Sequence, residues 1–516
     1  MHNMAICLSK SNNVSGSDDQ IYEPSKSRLK KYNLFPEKLG WDKSKITEKI
    51  DCVILGMHAK EDNPELVQAR KLKITIYSFP EYIAKHSVDK FKIVIAGSHG
   101  KTSITSMIMH VLKSMKIEFD YMVGAKIDGF ENMFQLTRKN KIIILEGDEY
   151  LSSTIDPTPK FHKYDPDVAV LTGISWDHIN VFKTFDIYVE QFKLFIEMVK
   201  EKLIYFEDDK TLKNLVLKSK SKAKFIAYNT PDYEIINNRT IINGTELKVF
   251  GNHNMQNIKA AMEVCKILKI DKKSFLQSIS TFNGAERRLE TVKKTNTSTL
   301  FRDFAHSPSK LQATINAVKN QFNRRLIACM ELNTFSSLNK SYLSEYEECM
   351  DEADIAIIYY NPKNIKSKNL EKISKQDIFE AFSNKDLNIF DDSKKLEKFI
   401  KSFHFKNTNL LMMSSGNFDN INIENLIDWS LKLYSKAFPN EIKNAIAKTT
   451  KIKPNNKVNN PNDSPAIAIP LPLFFNPTLP STIAKIENSK PTMGATKKNG
   501  IDNKPETNEM DPKGNP

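Results

Sequence analysis

The segment Lys92-Ile-Val-Ile-Ala-Gly97-Ser98-His99-Gly100-Lys101-Thr102-Ser103 runs from a short β-branched apolar stretch through a glycine-containing turn into a helical pattern. Ile104, Met107, Ile108, Val111 and Leu112 supply the apolar stripe of that helix at i, i+3, i+4, i+7 and i+8. A strand, a turn and a helix in this order suit a bound phosphate. Glycines let backbone N–H groups approach phosphate oxygens, and the helix N-terminus adds partial positive charge. Lys101 brings a full charge to the β- and γ-phosphates, and the Thr102 hydroxyl can ligate Mg²⁺. The loop is shorter than the general phosphate-loop pattern, which would put glycine where Ile95 stands. Glu146 and Glu149 follow a second apolar run, Ile142 to Leu145, at the strand end where open α/β sheets bind ligands. Mg²⁺ is a hard ion that prefers such oxygens. Asn254 and Asn257 have the i, i+3 spacing of one helix face. Arg287 and Arg288 are adjacent, so one of the two is expected to face a nucleotide, where a guanidinium fork suits a phosphate.

Elements able to position these residues are legible as short Ile- and Val-rich runs: Cys52 to Leu55, Ile93 to Ala96, Ile142 to Leu145, Val168 to Leu171, Leu326 to Cys329, Ile355 to Tyr359 and Leu410 to Met413. Each is short enough to be a strand buried on both faces, as in parallel sheets. Helical patterns separate many of them, which predicts an α/β protein. Boundaries are expected near residues 85, 282 and 436. The chain then comprises blocks 1–85, 86–282 and 283–436, followed by a tail, 437–516. Twelve of the 22 prolines lie in that tail, between Pro439 and Pro516. Its one apolar patch, Ala466 to Phe475, is interrupted by Pro470 and Pro472. Prolines break helices and central strands, so the tail is expected to be disordered.

The chain has 516 residues, 40% hydrophobic and 27% charged, enough apolar content for a core in most of its length. No run of about 18 apolar residues is present, which excludes a membrane-spanning helix. Five scattered cysteines without a CxxC pair argue against a disulfide scaffold or zinc ribbon and fit a reducing cytoplasm. The formal net charge of +14 is spread along the sequence rather than gathered in a block. This disfavours nucleic acid as a partner and suits an anionic small substrate.

Gly97-Ser-His-Gly-Lys-Thr102 resembles the loop of the Mur ligases, ATP-dependent enzymes of peptidoglycan synthesis. The likeness continues in order and spacing through Glu146-Gly-Asp-Glu-Tyr150, Asp177-His178 and Gly251-Asn-His-Asn-Met-Gln-Asn257. It goes on through Glu286-Arg-Arg288-Leu-Glu290, Asp303-Phe-Ala-His306-Ser-Pro308 and Met413-Ser-Ser-Gly-Asn-Phe418, covering roughly residues 1–433. It implies a three-domain architecture: a Rossmann-like UDP-binding domain, a central phosphate-loop ATPase domain and a Rossmann-like C-terminal domain. It implies ATP and Mg²⁺ as cofactors, and an acyl phosphate formed on a carboxylate before an amine attacks. By the same resemblance, Lys101, Glu146 and His178 are catalytic, and Thr102, Glu146 and His178 hold metal. Gly97 to Ser103, Asn254, Asn257, Arg288 and Asp303 bind ATP, with Asp303 at the ribose. Glu149, His253, Arg287 and His306 are further candidates. Lys193 stands where some relatives carry a carbamylated lysine. The family often has Asp where this chain has Asn180, and a second histidine where it has Ser307.

Within the family, Gly56-Met-His-Ala-Lys-Glu-Asp-Asn-Pro64 and Glu331-Leu-Asn-Thr-Phe-Ser-Ser-Leu-Asn339 resemble most the murein peptide ligase branch, which joins UDP-N-acetylmuramate to a recycled tripeptide. L-alanine as the acceptor stands as the alternative within the family. A folylpolyglutamate-type ligase is disfavoured by the N-terminal block, and a non-catalytic nucleotide-binding protein by the retained Lys101, Glu146 and His178. By resemblance, Met1 to Leu8 reads as the first helix of the UDP-binding domain and Asn13 to Asp19 as its second strand. The domain is then expected to lack its first strand and glycine turn, and to bind the UDP-sugar weakly.

Overall fold

The computed structural model describes residues 1–176 and 178–426; the expected disordered tail lies outside the described residues. The N-terminal block contains helices α1 (His2–Leu8), α2 (Ser25–Lys31), α3 (Pro64–Lys71) and α4 (Phe79–Lys85), with strands β1 (Cys52–Leu55) and β2 (Thr75–Ser78) paired in parallel. Ser78 and Glu81 form a reciprocal capping box at the start of α4, and Pro80 fits its first turn, where no N–H partner is needed. The expected helix at the start is present. The expected strand over 13–19 is not: these residues form no ladder, and a strand requires a neighbour to pair with.

The central sheet has seven strands in the order β5-β4-β6-β3-β7-β8-β9. These are β3 (Phe91–Ala96), β4 (Asp120–Met122), β5 (Phe134–Gln135), β6 (Ile142–Glu146), β7 (Val168–Leu171), β8 (Lys202–Phe206) and β9 (Lys224–Tyr228). All neighbours are parallel except β4 and β5. Side chains alternate across β3: Ile93 and Ile95 join the cluster containing Met107, Val111 and Met255, while Val94 and Ala96 join Phe192 and Phe195 on the other face. The first face is covered by α5 (Lys101–Ser114), the second by α6 (Phe185–Met198). Every residue of the α5 apolar stripe is fully buried, which is why the helix starts where the glycine turn delivers it. A small antiparallel sheet of β10 (Glu234–Ile236), β11 (Arg239–Ile242) and β12 (Thr245–Leu247) follows α7 (Lys210–Lys218). Helices α8 (Asn252–Ile267) and α9 (Lys272–Ile279) complete this part.

The last sheet has six strands in the order β13-β14-β18-β15-β16-β17. They are β13 (Glu290–Lys294), β14 (Thr299–Asp303), β15 (Arg325–Leu332), β16 (Ile355–Tyr360), β17 (Asn388–Phe390) and β18 (Thr408–Met413), parallel except for β13. Helix α10 (Pro308–Gln321) opens with proline at its first position, where no N–H is wanted. All seven apolar runs expected as strands are strands of the two-, seven- and six-stranded sheets.

Candidate active site

The phosphate loop leaves the C-terminal end of β3 with Gly97 at φ +114° and Gly100 at φ +69°. Both glycines are required by close approach as well as by backbone conformation. A Cβ on Gly97 would lie 2.3 Å from Thr172 Oγ1, and one on Gly100 would lie 2.1 Å from Asn257 Oδ1. Asn257 of α8 thus sits directly against the turn. Lys101 and Thr102 open α5 and point in two directions. Lys101 Nζ donates to the Gly97 carbonyl and to Glu149 Oε2, both at 2.7 Å. Thr102 Oγ1 donates to Glu146 Oε1 at 2.7 Å, and the second Glu146 oxygen accepts from the Gly124 N–H at 2.7 Å.

Glu149 lies at the centre of these polar contacts, 1% exposed. Its other oxygen accepts from the Tyr188 hydroxyl at 3.2 Å and lies 3.6 Å from His178 Nε2. Burial pushes its carboxyl up, but Lys101 and His178 outweigh burial and hold it well below the usual carboxylate range. Burial opposes the Lys101 charge too, and Glu149 and Asp148 more than restore it, so the ammonium is held more firmly than a free lysine's. Asp148 is disfavoured as an anion by burial and rescued by Lys160, whose Nζ lies 2.6 Å away; the net shift is downward. Ligand atoms of Asp148, Glu149 and His178 all lie within 4.8 Å of one another.

These donors fit Mg²⁺. Glu146 with the Thr102 hydroxyl, and Glu149 with Asp148 and His178, offer hard oxygens and one imidazole on two sides of Lys101. When bound, Mg²⁺ would neutralise negative charge developing on a transferring phosphoryl group.

The other expected site residues are distributed unequally. Arg288 reaches the loop, with Nη2 donating to Thr102 Oγ1 at 3.2 Å. Arg287 turns away and donates to the carbonyls of Ser414 and Gly416, and both guanidinium groups stack on Phe304. Asp303 is held inside its own domain's structure, accepting from the N–H groups of Leu289 and Ala305 and from the Thr314 hydroxyl at 3.3 Å. Asn254 donates to the Phe250 carbonyl at 2.9 Å, closing the turn before α8. His253 is buried beside Asp303, and burial lowers its tendency to protonate. His99 Nε2 lies 3.1 Å from the Ser309 hydroxyl, and Ser98 accepts from the Ser175 N–H at 2.8 Å. Ser103 and Thr102 are buried in the first turn of α5. His306 Nδ1 lies 2.7 Å from the Phe304 carbonyl.

Lys193 does not point with the site: it is exposed and pairs with Glu190 at 2.9 Å. Tyr188, on the same helix, does reach Glu149 with its hydroxyl. The two are five residues apart, which is about 140° around an α-helix. Tyr188, Asp148 and the Gly124 N–H were not expected from sequence. Tyr188 is one of four bulky apolar or aromatic residues on the buried face of α6, and only its hydroxyl sets it apart. Asp148 could have been found from its place between Glu146 and Glu149.

A phosphate loop, a carboxylate and histidine cluster beyond the ends of β6 and β7, and an arginine arriving from the turn before β13 define a nucleotide-dependent ligase. Family models agree. The Mur ligase middle domain matches residues 95–265, and the Mur ligase glutamate ligase domain matches residues 287–416. The chain is 30% identical over 364 residues to a UDP-N-acetylmuramate–L-alanine ligase of Caldicellulosiruptor bescii, covering 67% of this chain and 77% of that one. Among solved structures, a UDP-N-acetylmuramate-alanine ligase from Thermotoga maritima matches with TM-score 0.59 and 19% identity, covering 84% of this chain and 97% of that one. A murein peptide ligase from Psychrobacter arcticus matches with TM-score 0.57 and 19% identity, covering 83% and 96%. The chain belongs to the Mur ligase family. It is an ATP-dependent, ADP-forming carboxylate–amine ligase that uses Mg²⁺.

Proposed function

We propose that the chain joins the carboxyl group of UDP-N-acetylmuramate to the amino group of L-alanine in peptidoglycan synthesis, in the cytoplasm. The observation that carries the acceptor is the 30% identity over 364 residues to an enzyme named for that reaction. The domain division 1–85, 86–282 and 283–436 is part of this reading; its first boundary falls between the two- and seven-stranded sheets, and its second between the three- and six-stranded sheets.

The residues divide the work as follows. A carboxylate is a poor electrophile, so the γ-phosphoryl of ATP is first placed on it. Gly97 to Thr102 hold the phosphates with backbone N–H groups, and Lys101 moves from Glu149 to the transferring group. Arg288 supports the same charge from the opposite side. Glu146 and Thr102 would hold one divalent cation, and Asp148, Glu149 and His178 another, to neutralise charge on the phosphates. The amine then attacks the acyl carbon, and phosphate leaves. His306 and the buried Glu331, at the end of β15, belong to the domain that presents the amine.

A peptide acceptor is the second reading. It is supported by the segment Glu331 to Asn339 and by the match to the murein peptide ligase, whose TM-score is close to that of the alanine ligase. The experiment is a ligation panel: UDP-N-acetylmuramate and ATP with L-alanine, a dipeptide, a tripeptide or a tetrapeptide, each product identified by mass. Fastest turnover with L-alanine supports the first reading. Fastest turnover with tripeptide replaces it with the second. No product and no acceptor-dependent phosphate release would leave a nucleotide-binding protein without ligase activity.

A further inference from the structure

Tyr150 follows Glu149, and Asn180 lies two residues beyond His178, yet neither has a role in the chemistry above. The structure joins them. Asn180 Nδ2 donates to the Tyr150 hydroxyl at 2.7 Å. The Tyr150 ring stands edge-on to the His178 imidazole, with centroids 4.9 Å apart and planes at 76°. Lys160 Nζ lies 5.8 Å from the centre of the Tyr150 ring while binding Asp148. The Lys160 N–H also donates to the Tyr150 carbonyl at 2.9 Å. Tyr150 is therefore held from its backbone, its ring face and its hydroxyl, and its ring meets the imidazole.

His178 needs such a support. Its backbone is left-handed, at φ +58°, and its carbonyl accepts from the N–H groups of Val181 and Phe182. Those contacts fix the backbone; the imidazole itself is placed by the groups around it, among them Glu149 and the Tyr150 ring. An edge-to-face aromatic contact selects one ring plane. With that plane fixed, Nε2 faces Glu149 at 3.6 Å.

We propose that Tyr150 and Asn180 are a positioning pair that sets the plane of the His178 ring and so preorganises the divalent-cation site. This rests on the reading of His178 as a metal ligand. Asparagine suits the task because its amide donates to the phenol oxygen without adding charge. An aspartate at position 180 would instead accept from the phenol and bring another negative group to a cluster that already holds Asp148 and Glu149.

The test uses the full chain with ADP and Mn²⁺, free Mn²⁺ being read by electron paramagnetic resonance, and a thermal midpoint for every variant. Tyr150→Leu removes the ring contact and is expected to weaken Mn²⁺ binding about tenfold, the lower range for groups that orient a metal-bound histidine. Tyr150→Phe and Asn180→Ala each remove the shared hydrogen bond and are expected to weaken it about threefold. Their double variant should be no weaker than either alone, because both delete one interaction. Unchanged Mn²⁺ affinity in Tyr150→Leu and Asn180→Ala, with or without a lower thermal midpoint, refutes the positioning role. Fully additive losses refute the shared bond. His178→Ala separates the two levels: if it leaves Mn²⁺ affinity unchanged, the metal-ligand reading fails and the pair's role fails with it.

Discussion

Replacing Lys101 with Met leaves Glu149 buried without its strongest counter-charge. Glu149 is buried, its side chain 2% exposed, and Lys101 is mostly covered at 15%. Removing one partner of a buried pair costs about 3–5 kcal/mol, because an uncompensated charge remains. Tyr188 and His178 still face Glu149, so the lower end, about 3 kcal/mol at pH 8, is expected. The cost should depend on pH. In the wild type, Lys101 and His178 overcome burial and hold the Glu149 carboxyl below its unfolded value. Its contribution is present above about pH 4.3, the ordinary glutamate value, and is lost as pH falls below it. In the variant, burial remains while the main attraction is gone, so the carboxyl rises and Glu149 takes up a proton in mildly acidic solution. The cost should therefore shrink to about 1 kcal/mol near pH 5. Lys101→Met with Glu149→Gln removes the buried charge altogether and should recover most of the loss at pH 8. Urea unfolding followed by Trp176 fluorescence measures this, with Trp41→Phe and Trp429→Phe leaving Trp176 as the single tryptophan of the chain. A cost that does not vary between pH 8 and pH 5, or a double variant no better than the single, refutes the buried-pair reasoning. Ligation by Lys101→Met within a few-fold of wild type refutes its role at the phosphate.

Gly97→Ala places a Cβ 2.3 Å from Thr172 Oγ1 at a left-handed φ, so the loop must distort; about 1–3 kcal/mol of strain predicts a roughly 10- to 100-fold loss of ADP affinity by calorimetry, and unchanged affinity would refute the loop geometry. Asp303→Asn takes an acceptor from the Leu289 and Ala305 N–H groups and should cost about 1–3 kcal/mol of stability with little change in ADP affinity; the reverse pattern would make Asp303 a nucleotide contact. Lys193→Met should leave turnover nearly unchanged, with or without added bicarbonate, because the side chain is exposed and paired with Glu190; a large loss, or bicarbonate dependence in the wild type, would put Lys193 in the site.

The seven apolar runs were legible because strands buried on both faces carry no polar alternation to confuse them: Val94 and Ile95 point to opposite faces and both are fully buried. The loop from Gly97 to Thr102 and the position of Glu146 were legible for a related reason, since ligands meet parallel sheets at strand ends. The sheet of β10, β11 and β12 was not legible. Glu234, Ile235 and Ile236 are all exposed, so no burial period marks them. Tyr188 was hidden by its neighbours, because a buried aromatic on an apolar helix face reads as core until its hydroxyl is seen against Ser98 and Glu149. Lys193 was a candidate only by resemblance, and its angular position on α6 turns it to solvent, where it pairs with Glu190. Asp303 was a candidate by resemblance, at the ribose, but its partners, the N–H groups of Leu289 and Ala305 and the Thr314 hydroxyl, depend on how the chain folds back.

Transfer of oxygen is the most direct test of ligase chemistry at this site. UDP-N-acetylmuramate labelled with ¹⁸O in its carboxyl group is turned over with ATP, Mg²⁺ and L-alanine, and the released phosphate is analysed by mass. An acyl phosphate predicts one ¹⁸O atom in each phosphate released, with release requiring both the sugar nucleotide and the amine. Unlabelled phosphate, or ATP hydrolysis at the same rate without the amine, would contradict it.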